Sequence, residues 1–247
     1  MLATARALLR PKPLAAAVLP LLWSNRVLPA LDLDVRGRTA VSTAFAAAYT
    51  LLFRGAPNWL SPHGLRTGAA AAGMVLSGYA VALALPPTRR HLAGLADRGP
   101  GVSTVEWTVL HIPGGTVLTE ELVYRSTLTP LLDRAAGRPG SGLGAFVFGL
   151  SHIQPARAAA DPVRATVALT TAAGLLFDGL RRHTGSATAP ALLHLALNAG
   201  GALAPRVARR LARGECQPAR AGCRRAAVAS AAWRDEVRWI RRRCGRR

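Results

Sequence analysis

Lysine and acidic residues are scarce in this sequence. Lys12 is the only lysine, and 12 aspartate and glutamate residues face 32 basic residues, which gives a formal net charge of +20. Because almost every cation is an arginine, the arginine excess reflects at least in part a compositional bias, and no single arginine carries much functional weight. Carboxylates that interrupt apolar sequence are therefore the more informative charged groups.

The apolar stretches lack aromatic residues and polar stripes. Aromatic residues make up 5% of the chain although 50% of it is hydrophobic. The segment 68–85 presents no polar face to water, which argues against a soluble helical bundle. Because a bilayer-crossing helix needs about 20 mostly apolar residues, we predict an all-α fold, a polytopic membrane bundle of about six to eight transmembrane helices. The apolar stretches cover residues 13–31, 40–53, 67–86, 102–118, 141–151, 163–177 and 187–204.

Cysteine is nearly absent as well. The three cysteines are Cys216, Cys223 and Cys244, and their spacing, with no histidine nearby, fits no zinc site. We expect free thiols in a reducing compartment. Cys244 is the fourth residue from the end, but no aliphatic residues follow it, so a prenylation signal is not indicated.

Composition divides the chain into three parts. We predict N-terminal membrane helices over residues 1–100, a core that carries the chemistry over 101–205, and an arginine-rich tail over 206–247. The first boundary is marked by Gly99-Pro100-Gly101, a sequence that breaks helices. The chemistry is therefore expected in the second half of the chain.

The tail is strongly basic. Its 14 arginines between Arg206 and Arg247 are opposed only by Glu215, Asp235 and Glu236. Such a tail can bind nucleic acid, but a position directly after the last apolar stretch favours a cytoplasmic segment beside anionic lipid head groups. We expect the lipid bilayer, and no nucleic acid, among the partners.

The basic residues also predict a multi-pass protein of the cell membrane. If four crossings separate the basic segment 88–100 from the tail, both lie in the cytoplasm. Three earlier crossings would place Arg6, Arg10 and Lys12 outside, so either the first apolar segment does not span or another segment is re-entrant. The first segment follows basic residues like a signal peptide but lacks a clear cleavage site, and we interpret it as a retained or interfacial helix.

Two adjacent carboxylates, Glu120 and Glu121, lie inside one of the most apolar parts of the chain. On a helix over 119–132, Glu121 and Arg125 share a face and can pair, whereas Glu120 is rotated by about 100°. Ionisable groups at membrane depth cost roughly 2.5–3.5 kcal/mol each, so one without a partner is a candidate for function. We predict a structural ion pair for Glu121 and a chemical role for Glu120.

Two histidines in later apolar stretches complete the set. Phe148 and His152 are four residues apart, as are His194 and Asn198. A carboxylate and a neutral imidazole that share a water can make it a nucleophile, and a second imidazole with an amide can bind an oxyanion. The set suits hydrolysis of an acyl bond. Alternatively, the histidines and Asn198 form interhelical hydrogen bonds, Phe148 is core, and the two glutamates are interfacial.

Three motifs resemble those of a known family. Glu-Glu-x-x-x-Arg at 120–125, Phe-x-x-x-His at 148–152 and His-x-x-x-Asn at 194–198 are similar to the motifs of the CAAX protease and bacteriocin-processing (CPBP, or Abi) family of intramembrane endopeptidases. The resemblance covers about 103–204. It implies a membrane-embedded protease of the CAAX prenyl protease type that acts on a peptide or protein substrate.

The resemblance also implies roles for individual residues. Glu120 and His152 would activate the attacking water, and His194 and Asn198 would hold the oxyanion. The implied supporting residues are Glu121, Arg125 and Phe148. Ser126 stands where the family usually has glycine, a change expected to alter helix packing rather than chemistry.

The resemblance says less about a metal cofactor than about the roles of individual residues. Members of this family have often been called metalloproteases, but the sequence has no His-Glu-x-x-His motif, and we expect no metal cofactor. If a zinc ion binds, its ligands would be Glu120, His152 and His194.

Other functions fit the same residues. A catalytically inactive scaffold or a protein of the bacteriocin-immunity type would keep the fold and bind a peptide, and a proton-coupled transporter would use the acids and histidines as a relay. The substrate and the oligomeric state cannot be read from the sequence. Asp178 is a further buried acid, for which we expect a hydrogen bond or a pair with Arg181 or Arg182.

Overall fold

The computed structural model describes residues 10–213, which form helices joined by short connections, without a β-strand in that range. The predicted all-α class is confirmed. The predictions for the cysteines, and for the part of the basic tail from residue 214 onward, lie outside the described residues.

The chain divides into two compact units. The larger unit contains the described residues up to Ala80 together with Gly99–Leu203, and it includes every candidate site residue. The smaller unit contains Val81–Arg98 and, among described residues, 204–213. In the smaller unit, the guanidinium of Arg209 pairs with the carboxylate of Asp97.

The first helix, α1, covers Pro11–Leu22 and continues through a π-helical segment, Trp23–Val27, to Leu28–Ala30. Proline suits a first helical turn, where no backbone N–H is required. A π-helical turn is wider than an α-helical turn because its hydrogen bonds join residues five apart. The wide turn holds Asn25 at its centre.

The second helix, α2, covers Val35–Phe53. Asp34 caps its start by accepting a hydrogen bond from the backbone N–H of Gly37 at 2.7 Å, which satisfies a donor that the helix itself leaves free. The helix ends at Arg54, whose backbone is left-handed with φ 56°. Helix α2 packs on both α1 and the helix that carries the acid pair.

The third helix, α3, covers Pro62–Ala84, and a short helix α4 covers Pro86–Gly94. The buried residues of α3 are small. A Cβ atom added at Gly68 would lie 2.8 Å from the Cα atom of Ala189, so α3 approaches the last helix too closely for any larger side chain at this position.

The acid pair lies in a long continuous helix, α5. It begins as Thr104–Glu106, has π-helical turns over Trp107–Leu118 and Glu121–Leu128, and ends as Thr129–Ala136. Pro113 lies inside this segment, and a proline within a helix usually kinks or breaks it. The helix instead passes through Pro113 in wide turns, which accommodate a residue that has no N–H to donate.

Four further helices follow in the chain. They are α6 over Arg138–Leu150, α7 over Ile153–Ala158, α8 over Val163–Thr184, and α9, which begins at residue 188 and is described to residue 213. Gly185 ends α8 in a left-handed conformation with φ 64°, which glycine adopts without steric cost. The short connection after it leads directly into α9.

Aromatic and aliphatic side chains from seven of these helices form the main core. It lies directly behind the polar candidate residues and holds their helices together. Its largest members are Tyr49, Phe53, Tyr124, Leu128, Leu132, Phe148, Phe177 and Leu193.

Two helices among the described residues are long and apolar enough to cross a membrane, Pro62–Ala84 and Val163–Thr184. Only 11% and 17% of their most apolar windows are buried inside the protein, unlike the core helix of a soluble protein. Large apolar side chains such as Met74 and Leu169 are 72% exposed, and lipid is the solvent that such surfaces favour. The predicted number of crossings, about six to eight, stays a prediction.

Candidate active site

Three helices bring the predicted residues together. Glu120 lies on α5, His152 directly follows α6, and Asn198 lies on α9, and all three line a cavity of about 420 Å³. The Glu120 side chain is 24% exposed, so it faces this cavity and not open solvent. Residues separated by more than 70 positions in the sequence thus meet at one place.

His194 lies between the two glutamates. Its Nδ1 is 2.9 Å from Oε1 of Glu121, and its Nε2 is 3.6 Å from Oε2 of Glu120. A carboxylate only accepts hydrogen bonds, so the short contact places a proton on Nδ1. The contact between Nε2 and Oε2 of Glu120 is an ion pair when the imidazole carries its second proton.

The ring of His152 is oriented by its own helix. Its Nδ1 is 2.8 Å from the carbonyl oxygen of Phe148. A carbonyl oxygen cannot donate, so Nδ1 carries the proton, and the neutral ring keeps a lone pair on Nε2. The Phe148 ring contacts the imidazole edge to face at 4.8 Å. His152 is therefore set up to accept a proton or a hydrogen bond at Nε2.

Arg125 is buried among aromatic rings. Its guanidinium carbon is 4.1 Å from the ring centre of Phe148 and 4.9 Å from that of Phe177, distances at which a cation is attracted to an aromatic face. The Nη1 atom is 4.0 Å from Oε1 of Glu121. The predicted Glu121–Arg125 pair is thus a long contact, and His194 is the closer partner of Glu121. The physical reason is the π-helical backbone, which rotates residues four apart away from each other.

Asp178 is the other partner of Arg125, and of the two expectations for this acid the hydrogen bond is the one that is confirmed. Oδ1 of Asp178 lies 3.6 Å from Nε of Arg125 and accepts a 3.0 Å hydrogen bond from Thr129. Arg125 and Thr129 are one turn apart on α5 and both face α8. Arg182 is instead 3.6 Å from Asp133. An unpaired buried acid in the sequence indicates that a partner exists, but not on which helix it lies.

Several polar atoms at the centre of the site are buried and have no hydrogen-bond partner among the described protein atoms. They include Oε2 of Glu120, Oε2 of Glu121 and all three guanidinium nitrogens of Arg125. Buried polar groups normally have partners, and exceptions concentrate at functional sites. Of these three residues, Glu120 also lines the cavity.

The cavity wall opposite Glu120 comes from helices that sequence analysis placed outside the core. Trp23 on α1 and Phe45 on α2 stack face to face with 4.3 Å between ring centres, and both line the cavity with Arg38. No motif marks these residues, so sequence analysis missed them. Their spacing carries no chemical signal without the fold.

His111 also lines the cavity, but both of its ring nitrogens already have polar partners. Its Nδ1 is 2.8 Å from the hydroxyl of Thr39, and its Nε2 is 3.2 Å from Oε1 of Glu106. Glu106 in turn binds Arg36 at 2.6 Å and raises the pKa of that guanidinium. Because both ring nitrogens have partners, His111 fixes α2 against α5.

The candidate metal ligands do not form a metal site in the described part of the chain. Between residues 10 and 213, no group of three or more histidine, cysteine, aspartate or glutamate side chains is arranged to hold a metal ion. Three converging protein ligands are the minimum for catalytic zinc. The expectation that the protein has no metal cofactor stays a prediction.

Comparison with known families agrees with this geometry. Residues 102–200 match a family model described as type II CAAX prenyl endopeptidase Rce1-like. The match supports the CAAX protease family for this part of the chain. The match includes all seven candidate site residues and confirms the resemblance drawn from the three motifs. No curated protein and no solved structure matches the chain.

The match with the CAAX endopeptidase family indicates the general class for residues 102–200. The family consists of membrane proteases, in keeping with the exposed apolar helices. Helices α1 and α2 precede residue 102 and therefore lie outside the region that matches the family model. The cavity is therefore completed by residues outside the family region.

Proposed function

We propose that this protein is an intramembrane endopeptidase in which Glu120 and His152 activate the attacking water. The observation that carries the proposal is the shared cavity: Glu120, with a free buried oxygen, and His152, with a free Nε2, line the same space. A carboxylate and an imidazole that both contact one water can orient it and take its proton.

The reaction balances with the residues present. Water attacks the carbonyl carbon of the peptide bond and gives a proton to the Glu120 carboxylate, which forms a tetrahedral oxyanion. The C–N bond then breaks, and Glu120 returns the proton to the leaving amine. The products are a new carboxylate and a new amine, with one water consumed.

His194 and Asn198 are proposed to stabilise the oxyanion. One hydrogen of the Asn198 amide is donated to the backbone oxygen of His194 at 3.1 Å, and the second remains available. His194 is held by Glu121 at Nδ1 and by the ring of Phe177, stacked at 4.8 Å. Donors held rigidly in this way are effective because they need no reorganisation during the reaction.

No metal ion is part of this proposal. If the mechanism is metal-free, removal of divalent cations with a chelator is expected to leave the cleavage rate unchanged. The measurement is cleavage by purified protein in proteoliposomes before and after chelation. Loss of activity that zinc restores would contradict a metal-free mechanism.

The test compares membrane peptides in cells that carry wild-type protein, Glu120→Gln or the control Asp97→Asn. Asp97 is an exposed acid of the smaller unit, so its substitution has the same chemistry away from the cavity. We expect a cleavage product in wild type and Asp97→Asn that is missing in Glu120→Gln. A cleavage product that persists in Glu120→Gln would contradict the proposal.

The same comparison separates the alternatives. For a scaffold or immunity-type protein, the cellular phenotype would survive Glu120→Gln but not deletion of the chain. A transporter would show proton-coupled uptake in liposomes without any cleavage product. We place the protein in the cell membrane as a multi-pass protein with its basic tail in the cytoplasm, as the arginine distribution favours.

A further inference from the structure

The turn that carries His152 is a break between two helices. Helix α6 ends at Leu150, and α7 begins at Ile153, so Ser151 and His152 lie between them. Helix ends leave carbonyl and N–H groups without partners in their own helix. Something must satisfy these groups for the turn, and the imidazole on it, to keep one conformation.

The side chain of Asn25 bridges this break. Its amide nitrogen donates to the carbonyl oxygen of Leu150 at 3.0 Å, and its amide oxygen accepts from the backbone N–H of Gln154 at 2.9 Å. Backbone carbonyls only accept and backbone N–H groups only donate, so both bonds require this orientation of the amide. One side chain thus joins the end of α6 to the start of α7.

Asn25 is itself fixed by the shape of α1. It lies at the centre of the π-helical segment Trp23–Val27 and also donates to the carbonyl oxygen of Leu21 at 3.2 Å. Wide π-helical turns occur preferentially at functional sites. The neighbouring residues Trp23 and Ser24 line the cavity, so this turn borders the site.

We propose that Asn25 is a positioning residue for His152. By holding Leu150 and Gln154 together, it fixes the turn in the geometry in which His152 donates from Nδ1 to Phe148 and keeps the lone pair on Nε2. Asn25 lies outside the family region at 102–200, so an N-terminal helix completes the catalytic geometry of the core. Its catalytic consequence rests on the proposed function; its effect on the turn does not.

Two substitutions and one control separate the roles of the two bonds. Asn25→Leu removes both bonds at similar size. Asn25→Asp keeps an acceptor for Gln154 and removes the donor to Leu150. The control Asn58→Leu removes an amide of the same unit that donates to the backbone oxygen of Gly185 at 3.0 Å, away from the His152 turn.

The first readout is the protonation pattern of the imidazole. Full-length protein in lipid nanodiscs is labelled with nitrogen-15 histidine, and the His152 signals are assigned by their loss in His152→Gln. Wild type and Asn58→Leu are expected to show a protonated Nδ1 and a bare Nε2. Asn25→Leu is expected to show a mixture of the two His152 tautomers. Asn25→Asp is expected to show a degree of mixing between those of wild type and Asn25→Leu.

The second readout is backbone hydrogen exchange across residues 148–156. Loss of two hydrogen bonds of ordinary strength is expected to speed exchange there by roughly tenfold or more in Asn25→Leu, and Asn58→Leu is expected to leave it unchanged. If Asn25→Leu fails to fold, Asn25→Asp is expected to show the same direction of change. An unaltered tautomer and unaltered exchange in the folded Asn25 variants would overturn the proposal.

The two proposals fail separately. Cleavage is expected to slow in Asn25→Leu through turnover and not through KM, whereas Glu120→Gln abolishes it. If Glu120→Gln still cleaves, the catalytic proposal fails while the tautomer and exchange results still decide the role of Asn25. If cleavage requires Glu120 but neither the tautomer of His152 nor the hydrogen exchange of the turn changes in the Asn25 variants, only the positioning role is wrong.

Discussion

At the scale of residues, the site is a row in which acidic and basic side chains alternate. Asp178, Arg125, Glu121, His194 and Glu120 follow one another at distances between 2.9 and 4.0 Å. Arg125 is the permanent cation of the row, and buried charges are tolerated when each has an opposite neighbour. Asp178 therefore supports the site from behind without touching the cavity.

Replacing Asp178 with Asn is expected to destabilise the protein strongly. Arg125 would keep only the long contact with Glu121, and breaking a buried pair costs about 3–5 kcal/mol. The control is Asp133→Asn, which weakens a partly exposed pair with Arg182 and is expected to cost about 1 kcal/mol or less. Unfolding in detergent measures both, and equal effects would contradict the role given to Asp178.

At the scale of elements, backbone geometry decides which side chains meet. The π-helical turns of α5 carry Glu121 toward His194, and the π-helical turn of α1 presents Asn25 to the turn before α7. Close packing of α3 on α9 depends on glycine, because a Cβ at Gly68 would strike the backbone of Ala189. The position of His194 therefore depends on small residues of a helix that carries no motif.

Two glycines of α3 give opposite predictions. Gly68→Ala is expected to destabilise the protein by about 1–3 kcal/mol, because the helices must separate to admit the methyl group. Gly73→Ala meets nothing within 4 Å and is expected to be neutral, or stabilising by up to about 1 kcal/mol through helix propensity. Thermal unfolding of both variants in detergent is the test, and similar midpoints would refute close α3–α9 packing.

At the scale of the whole molecule, an apolar surface is combined with a basic C-terminal end. The apolar faces of α3 and α8 are largely exposed, whereas the 14 arginines from residue 206 onward follow the last apolar stretch. By the positive-inside rule, this distribution predicts a cytoplasmic tail.

The native cysteines offer a direct test of that orientation. Cys216, Cys223 and Cys244 are the only cysteines and all lie in the tail. A membrane-impermeant maleimide is expected to leave intact cells unlabelled and to label the protein after permeabilisation. A membrane-permeant maleimide serves as the positive control, and labelling of intact cells by the impermeant reagent would place the tail outside.

The sequence predicted more of the candidate site residues than of the residues that hold them in place. Glu120, His152, His194 and Asn198 were identified from spacing and resemblance, because their motifs are local and interrupt apolar sequence. The partner of Asp178 could not be predicted, since it lies 53 positions away on another helix. Nor could the role of Asn25, because π-helical turns leave no periodic pattern and a single polar residue in an apolar stretch does not name its partner.

The cleavage rate of Glu120→Gln in proteoliposomes, on the membrane peptide whose processing in cells depends on this chain, tests most directly whether Glu120 activates the water. We expect a rate about 10²–10⁴-fold below wild type, because a positioned acid–base group contributes this much. Membrane insertion and the unfolding temperature are expected to be retained. Cleavage at the wild-type rate would show that Glu120 does not activate the water.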